Sequence, residues 1–305
     1  MTTKYLSMLF ALMLLLFITA CGSKSGTETV QTESIPASEN TSVPETTVPV
    51  ETEELIPFEE TVLVDNEDCT VKITGIDADN IWGYTLNAYV ESKTDKELMF
   101  TLNNVSVNGF MCDPLWAVTV TPGMKANEEI SFLSADFDRN GVETVTEIAL
   151  TLRVYDSNDW SADDFVNEIF TLYPLGEDAV KPFERISSED EIVLFDNESC
   201  TMIVTGFDPD STWGYTMNVY LENKTDQNLM FTTQDASVNG FMCDPYWATT
   251  VAAGKRSYTG ISWMSSDFED NGIAEVESLT LPIRVYNSDD WTEEDILKET
   301  FTVNP

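Results

Sequence analysis

Two cysteine-centred phrases stand out in the sequence, VNGFMCDPLWA at residues 107–117 and VNGFMCDPYWA at 238–248. A cysteine so placed can be a nucleophile, a metal ligand, half of a disulfide, or packing beside a turn. A nucleophilic thiol needs a base or a cation to hold it as thiolate, and the neighbours Asp113 and Trp116 supply neither. Histidine is absent from the chain, which removes Ser-His-Asp and Cys-His catalysis, imidazole metal sites and the usual neutral-pH general base together. Zinc lacks a ligand set, because there is no CxxC spacing to add to the isolated cysteines. Two readings remain for Cys69, Cys112, Cys200 and Cys243. They form intradomain disulfides, Cys69 with Cys112 and Cys200 with Cys243, or they are small buried hydrophobes.

A second constellation is DFDRNGVETVTE at residues 136–147. Asp136, Asp138 and Asn140 fall at positions 1, 3 and 5 of a calcium loop, Gly141 at 6 and Glu147 at 12, a spacing that brings alternate oxygens onto one hard cation. Glu143 stands where an apolar residue is usual, and the second copy, DFEDNGIAEVES, has Glu269 for Asp138 and Ser278 for Glu147. Calcium is therefore the one cofactor to test, at Asp136, Asp138, Asn140 and Glu147, against an Asx-rich surface turn. The aromatic residues Trp82, Tyr84, Trp116, Trp213, Tyr215 and Trp247, with Trp160 and Trp291, would stack on sugars or line a protein interface if exposed; otherwise they carry core burial. A carboxylate pair such as Asp113 with Asp136 has no diagnostic weight in a chain holding 54 Asp and Glu.

Those acids face only 15 Lys and Arg, a formal net charge of -39. Nucleic acid is disfavoured as a partner, since phosphate backbones are bound by basic patches that release counterions and this chain has no basic run. Cationic or neutral partners, proteins or glycans, remain.

The positioning elements begin with a leader. Lys4 precedes an apolar run at residues 6–17, which ends in Ile18-Thr19-Ala20-Cys21-Gly22. The run is shorter than the about 20 residues that span a bilayer, and its order of charge, apolar core and small residues is that of a signal peptide. Ile-Thr-Ala-Cys resembles the bacterial lipobox, which implies cleavage over residues 1–20 and a lipid on Cys21 as the membrane anchor. Residues 21–55, rich in Ser, Thr, Glu and Pro, lack the apolar surface to offset ordering and read as a disordered, acidic tether.

Beyond the tether the chain is duplicated. Residues 65–174 align without a gap on 196–305; WGYTLNAYVESKTDKELMFT matches WGYTMNVYLENKTDQNLMFT, and LTLRVYDSNDW matches LPIRVYNSDDW. Within each copy, short β-rich runs alternate in period two: Cys69, Val71 and Ile73 share one face, and Tyr84, Leu86, Ala88 and Val90 share another. Further strands are expected at 105–111, 116–120, 129–133, 148–155 and 168–173. One helical turn is expected at Ser161, from the capping spacing of Ser161 with Asp164, repeated by Thr292 with Asp295. Regular short strands without long helices predict an all-β fold of two tandem immunoglobulin-like antiparallel β-sandwich domains, at 56–174 and 191–305, joined by a linker at 175–190.

The lipobox, the tether and the order of strand, N/S-K-T-D turn, apolar strand and V-N-G in residues 91–109 and 222–240 resemble the telokin-like, immunoglobulin-like domains of surface lipoproteins of Gram-positive bacteria. The resemblance implies a sandwich fold and an exported protein on the outer face of the cell membrane, without implying catalysis. The chain reads as a non-catalytic binding or adhesion module for an extracellular protein or glycan. A structural spacer of the envelope is the first alternative and a calcium-dependent binding module the second.

Overall fold

The computed structural model describes residues 58–305 apart from Leu115 and Trp213. The expected signal peptide, Cys21 with its expected lipid, the expected tether and Trp213 lie outside the described residues. Among those described, no helix is long and apolar enough to cross a membrane.

The chain is all-β. The first copy runs β1 (Thr61–Asp65), β2 (Cys69–Asp77), β3 (Tyr84–Ser92), β4 (Leu98–Val107), β5 (Phe110–Met111), β6 (Ala117–Val120), β7 (Lys125–Phe132), α1 (Ser134–Asn140), β8 (Ile148–Asp156) and β9 (Val166–Leu172). The second runs β10 (Ile192–Asp196), β11 (Cys200–Ser211), β12 (Gly214–Asn223), β13 (Leu229–Thr233), β14 (Ser237–Val238), β15 (Phe241–Met242), β16 (Ala248–Val251), β17 (Arg256–Trp263), α2 (Ser265–Asn271), β18 (Leu279–Asn287) and β19 (Leu297–Val303). The period-two reading holds: Cys69, Val71, Ile73, Leu86, Ala88 and Val90 are all buried, with Tyr84 half-buried beside them. Each copy encloses one apolar core between a front sheet, β1-β2-β3-β7 or β10-β11-β12-β17, and a back sheet built on β4 and β8 or on β13 and β18.

Sheet order supplies a feature that duplication alone does not. The back sheet of the first copy continues edge to edge into the front sheet of the second, making one nine-stranded sheet in the order β10-β11-β12-β17-β5-β4-β8-β9, with β6 on β4. The junction is β17 against β5, a parallel pair, whereas the other strand pairs among the described residues are antiparallel. The third sheet, β15-β14-β18-β13-β16 with β19 on β18, belongs to the second copy alone and ends at β15.

The helical element differs from expectation. Residues 157–165 are turns, in which the Ser161 hydroxyl donates to Asp159 at 2.8 Å and Thr292 repeats the contact to Asp290 at 2.6 Å. The helix instead occupies 134–140, where Phe137 packs on the core. Gly141 ends it in the left-handed conformation, with Val142 N–H donating to the Phe137 carbonyl at 2.9 Å, a Schellman stop. The helix follows β7 around a corner that needs glycine: Gly83 has φ 106°, and a Cβ there would meet the Phe132 carbonyl oxygen at 2.1 Å.

A candidate binding cleft at the junction of the two repeats

The junction joins residues common to both copies, Phe110, Met111 and Tyr220, to residues that the second copy alone carries, Arg256, Tyr258 and Ile203. Arg256 N–H donates to the Gly109 carbonyl at 2.9 Å. Phe110, only 3 % exposed, stacks on Tyr258 with ring centroids 5.8 Å apart and meets Phe183 of the linker edge-on at 4.8 Å. The Arg256 guanidinium lies over Phe183 at 4.9 Å and that of Arg185 over Tyr220 at 4.7 Å, cation-π contacts that the partly buried setting strengthens. Lys255 pairs with Glu147 at 3.0 Å, and Met111 packs against the second core. Phe110, Ile203 and Tyr220, with Tyr258 against them, form an apolar cluster separate from both cores.

Beside this junction lies a cleft of about 740 Å³. Its first wall holds Asp113, Asp136 and Arg139, with Asn103 and Asn104; the opposite wall, from the second copy, presents Tyr258 among the hydroxyls of Thr249, Thr250, Ser257 and Thr259. Asp136 is ion-paired with Arg139 one helical turn away. The two carboxylates named above, Asp113 and Asp136, thus line one cavity. Buried Asn140 fixes the helix to the cysteine loop, its amide donating to the Met111 carbonyl at 3.3 Å and to Cys112 Sγ at 3.6 Å.

The calcium reading is corrected by this geometry. Asp136 and Asp138 sit in α1, where residues two apart point to nearly opposite sides. Asp136 is taken by Arg139, Asn140 is turned inward and Glu147 is taken by Lys255. Among the described residues no three His, Cys, Asp or Glu side chains are grouped so as to hold a metal ion.

The disulfide reading is corrected as well: Cys69, Cys112, Cys200 and Cys243 are free and buried. The reason is visible along β12. Cys200 pairs with Asn223 at its end, whereas the Cys243 carbonyl accepts from Trp263 Nε1 at 2.9 Å, and Trp263 pairs with Tyr215 at its start. At roughly 3.3 Å per residue the two cysteines stand at opposite ends of the sandwich, far outside disulfide reach. Burial pushes the Cys69, Cys112 and Cys200 thiols up to about 11, and for Cys112 the Asp136 carboxylate adds to the effect. Such thiols are protonated at neutral pH and poor nucleophiles.

The aromatic candidates divide. Trp116, Trp247 and Tyr215 are core residues, each 8 % exposed. Tyr84 is half-buried, packed on Phe132 and Phe137, and burial holds its phenol up at about 12. Trp82 is 65 % exposed on the β2–β3 loop; Trp160 and Trp291 are 76 % and 72 % exposed on the β8–β9 and β18–β19 loops. Residue patterns had not singled out the junction residues Phe110, Tyr258, Phe183, Arg185 and Arg256. A signal existed: Tyr258 and Ile203 stand where the first copy has Asn127 and Lys72, an apolar gain on a face that is polar in its twin.

No protein-family model matches the chain, and no curated protein matches it either.

Proposed function

We propose that this chain is a non-catalytic binding module, exported and anchored through a lipid on Cys21, whose two immunoglobulin-like sandwiches hold a glycan in the cleft between them. The observation that carries the reading is the cleft's lining. Planar carboxylate, amide and guanidinium groups face a row of hydroxyls across a cavity of about 740 Å³, the donor and acceptor mixture that suits the many hydroxyls of a sugar. The net charge of -39 directs the choice toward neutral or cationic glycans. Trp82, Trp160 and Trp291 offer further stacking faces on the loops. The likeness to telokin-like surface lipoproteins and the Ile-Thr-Ala-Cys leader are the support for export and anchoring.

The test is sedimentation of the unit of residues 54–305 with purified cell-wall material and with extracellular glycoproteins, native and enzymatically deglycosylated. Retention that deglycosylation abolishes, and that Asp113→Asn weakens about tenfold through loss of a charged hydrogen-bond acceptor, is the expected result. Absence of retention on every matrix sinks the reading.

The second reading, an envelope spacer, has one observation in its favour. The copies are joined by a strand pair and the ion pair Lys255–Glu147 instead of a free linker, which suits a stiff arm. That reading is left standing if no matrix retains the protein.

A further inference from the structure

The hairpin that docks the first copy onto the second is present twice, and among the described residues only one of the two is covered. Its geometry is the same in both copies. Asn108 and Asn239 have φ of 50° and 52°, and Gly109 and Gly240 have 82° and 83°. The asparagine amide donates to a carbonyl at 2.7 Å in each case, Thr144 or Glu275. The following cysteine N–H donates to Val105 or Ala236 at 3.0 Å.

Their surroundings differ. Around β5, Arg256 takes the Gly109 carbonyl, its Nη1 lies 3.4 Å from where a Gly109 Cβ would stand, and Phe110 is 3 % exposed. Around β15, nothing lies within 4 Å of the same position at Gly240; Phe241 is 48 %, Met242 64 % and Tyr246 90 % exposed. An apolar sheet edge with unpaired backbone groups is a template for another strand unless charge or a covering element blocks it.

A second copy of this chain is a poor occupant. The surface it would offer is the open β7 edge of the first copy, where Lys72 and Asn127 replace Ile203 and Tyr258, the residues that enclose Phe110. That edge also carries Glu128, opposite buried Ala88, and exposed Glu129, charges that blunt an edge strand. Charge at the β15 corner points elsewhere. In the first copy Arg139 pairs with Asp136; in the second, Asp270 stands at the Arg139 position. Asp267 and Asp244 both lie close enough to Cys243 to raise its thiol pKa, after burial, the larger cause.

We propose that the β15 edge, Gly240 to Met242, is a docking site for the basic edge strand of another protein, which adds parallel to it as β17 adds to β5. The partner strand carries an arginine opposite Phe241, an aromatic residue two positions on, and no acid between them, the pattern that Arg256 and Tyr258 present to Phe110. Backbone pairing and the aromatic contact provide attachment, and the acidic corner of Asp244, Asp267 and Asp270 favours a basic strand over an acidic one. The site uses neither the cleft nor the exposed indoles, so it stands independently of the glycan reading.

The probe is a peptide of residues 255–263, KRSYTGISW, titrated into isotope-labelled protein of residues 54–305 and followed by amide chemical shifts. Expected are shifts confined to residues 237–246. Affinity should fall about tenfold when the peptide carries Glu in place of its arginine, and the shifts should vanish in Phe241→Glu protein or, should that variant not fold, in Met242→Glu. Absence of shifts in that segment at millimolar peptide, or equal binding of the Glu peptide, overturns the proposal. So does sedimentation of the unliganded protein as a dimer that Phe241→Glu dissociates, which would assign the edge to a second copy.

Discussion

At the scale of single residues, the cysteines separate two chemistries that one sequence pattern allows. Cys69 and Cys112 have the count and equal spacing of a disulfide framework, but they pack at opposite ends of their sandwich, as Cys200 and Cys243 do in the other. Burial raises three of the thiols to about 11. The unit of residues 54–305 should therefore leave Ellman's reagent unreacted at pH 8 while folded and release four equivalents once unfolded in guanidinium. A disulfide-bonded protein would release none in either state. Spacing could not decide this, because it counts residues between cysteines and does not state how far the strands carry them apart. The run Asp136, Asp138, Asn140, Gly141 was ambiguous in the same way. Gly141 serves equally as the sharp turn of a calcium loop and as the stop of a short helix, and the core contact of Phe137 selects the helix.

At the scale of elements, each front sheet opens with a repeated corner. Asn66 Oδ1 accepts from the Asp68 and Cys69 amides at 2.9 and 2.8 Å, turning β1 into β2. Asp65 accepts from Thr70 and Lys93, tying that turn to the end of β3, and Asp196 does the same with Thr201 and Lys224. The lysine hydrogen bond, followed by the threonine one, holds each carboxyl below its ordinary value. A carboxylate whose pKa is lowered on folding contributes stability that is complete above the ordinary range, about 4, and is lost as pH falls through the folded value. The thermal midpoint should drop between pH 5 and pH 3, and it should drop less in the Asp65→Asn, Asp196→Asn variant. Parallel curves by circular dichroism would refute the role of the corners. These strands were legible from period-two alternation, whereas two-residue β5 and β15 were not, since a pair of residues has no period to read.

At the scale of the whole molecule, one hairpin sequence has two fates. Phe110 closes the junction at 3 % exposure, while its counterpart Phe241 is 48 % exposed. Phe110→Ala should cost about 3 kcal/mol and divide a single calorimetric transition into two, because it removes the centre of the cluster that couples the repeats. Phe241→Ala should cost less than about 0.5 kcal/mol and leave the transition single. Equal effects of the two would show that the junction does not couple the repeats. The sequence by itself determined the duplication, the strand period and inward faces, the absence of imidazole chemistry and the acidic net charge. Each of these follows from residue type and short-range spacing. Only the tertiary structure decided that the cysteines stay apart, that the acidic loop is a helix, that Asp113 and Asp136 share a cleft, and that one hairpin is covered and the other open. Those outcomes depend on which distant face meets each segment. Identical hairpins fold alike locally, but their cover comes from residues such as Tyr258 and Ile203, on a face that the first copy keeps polar.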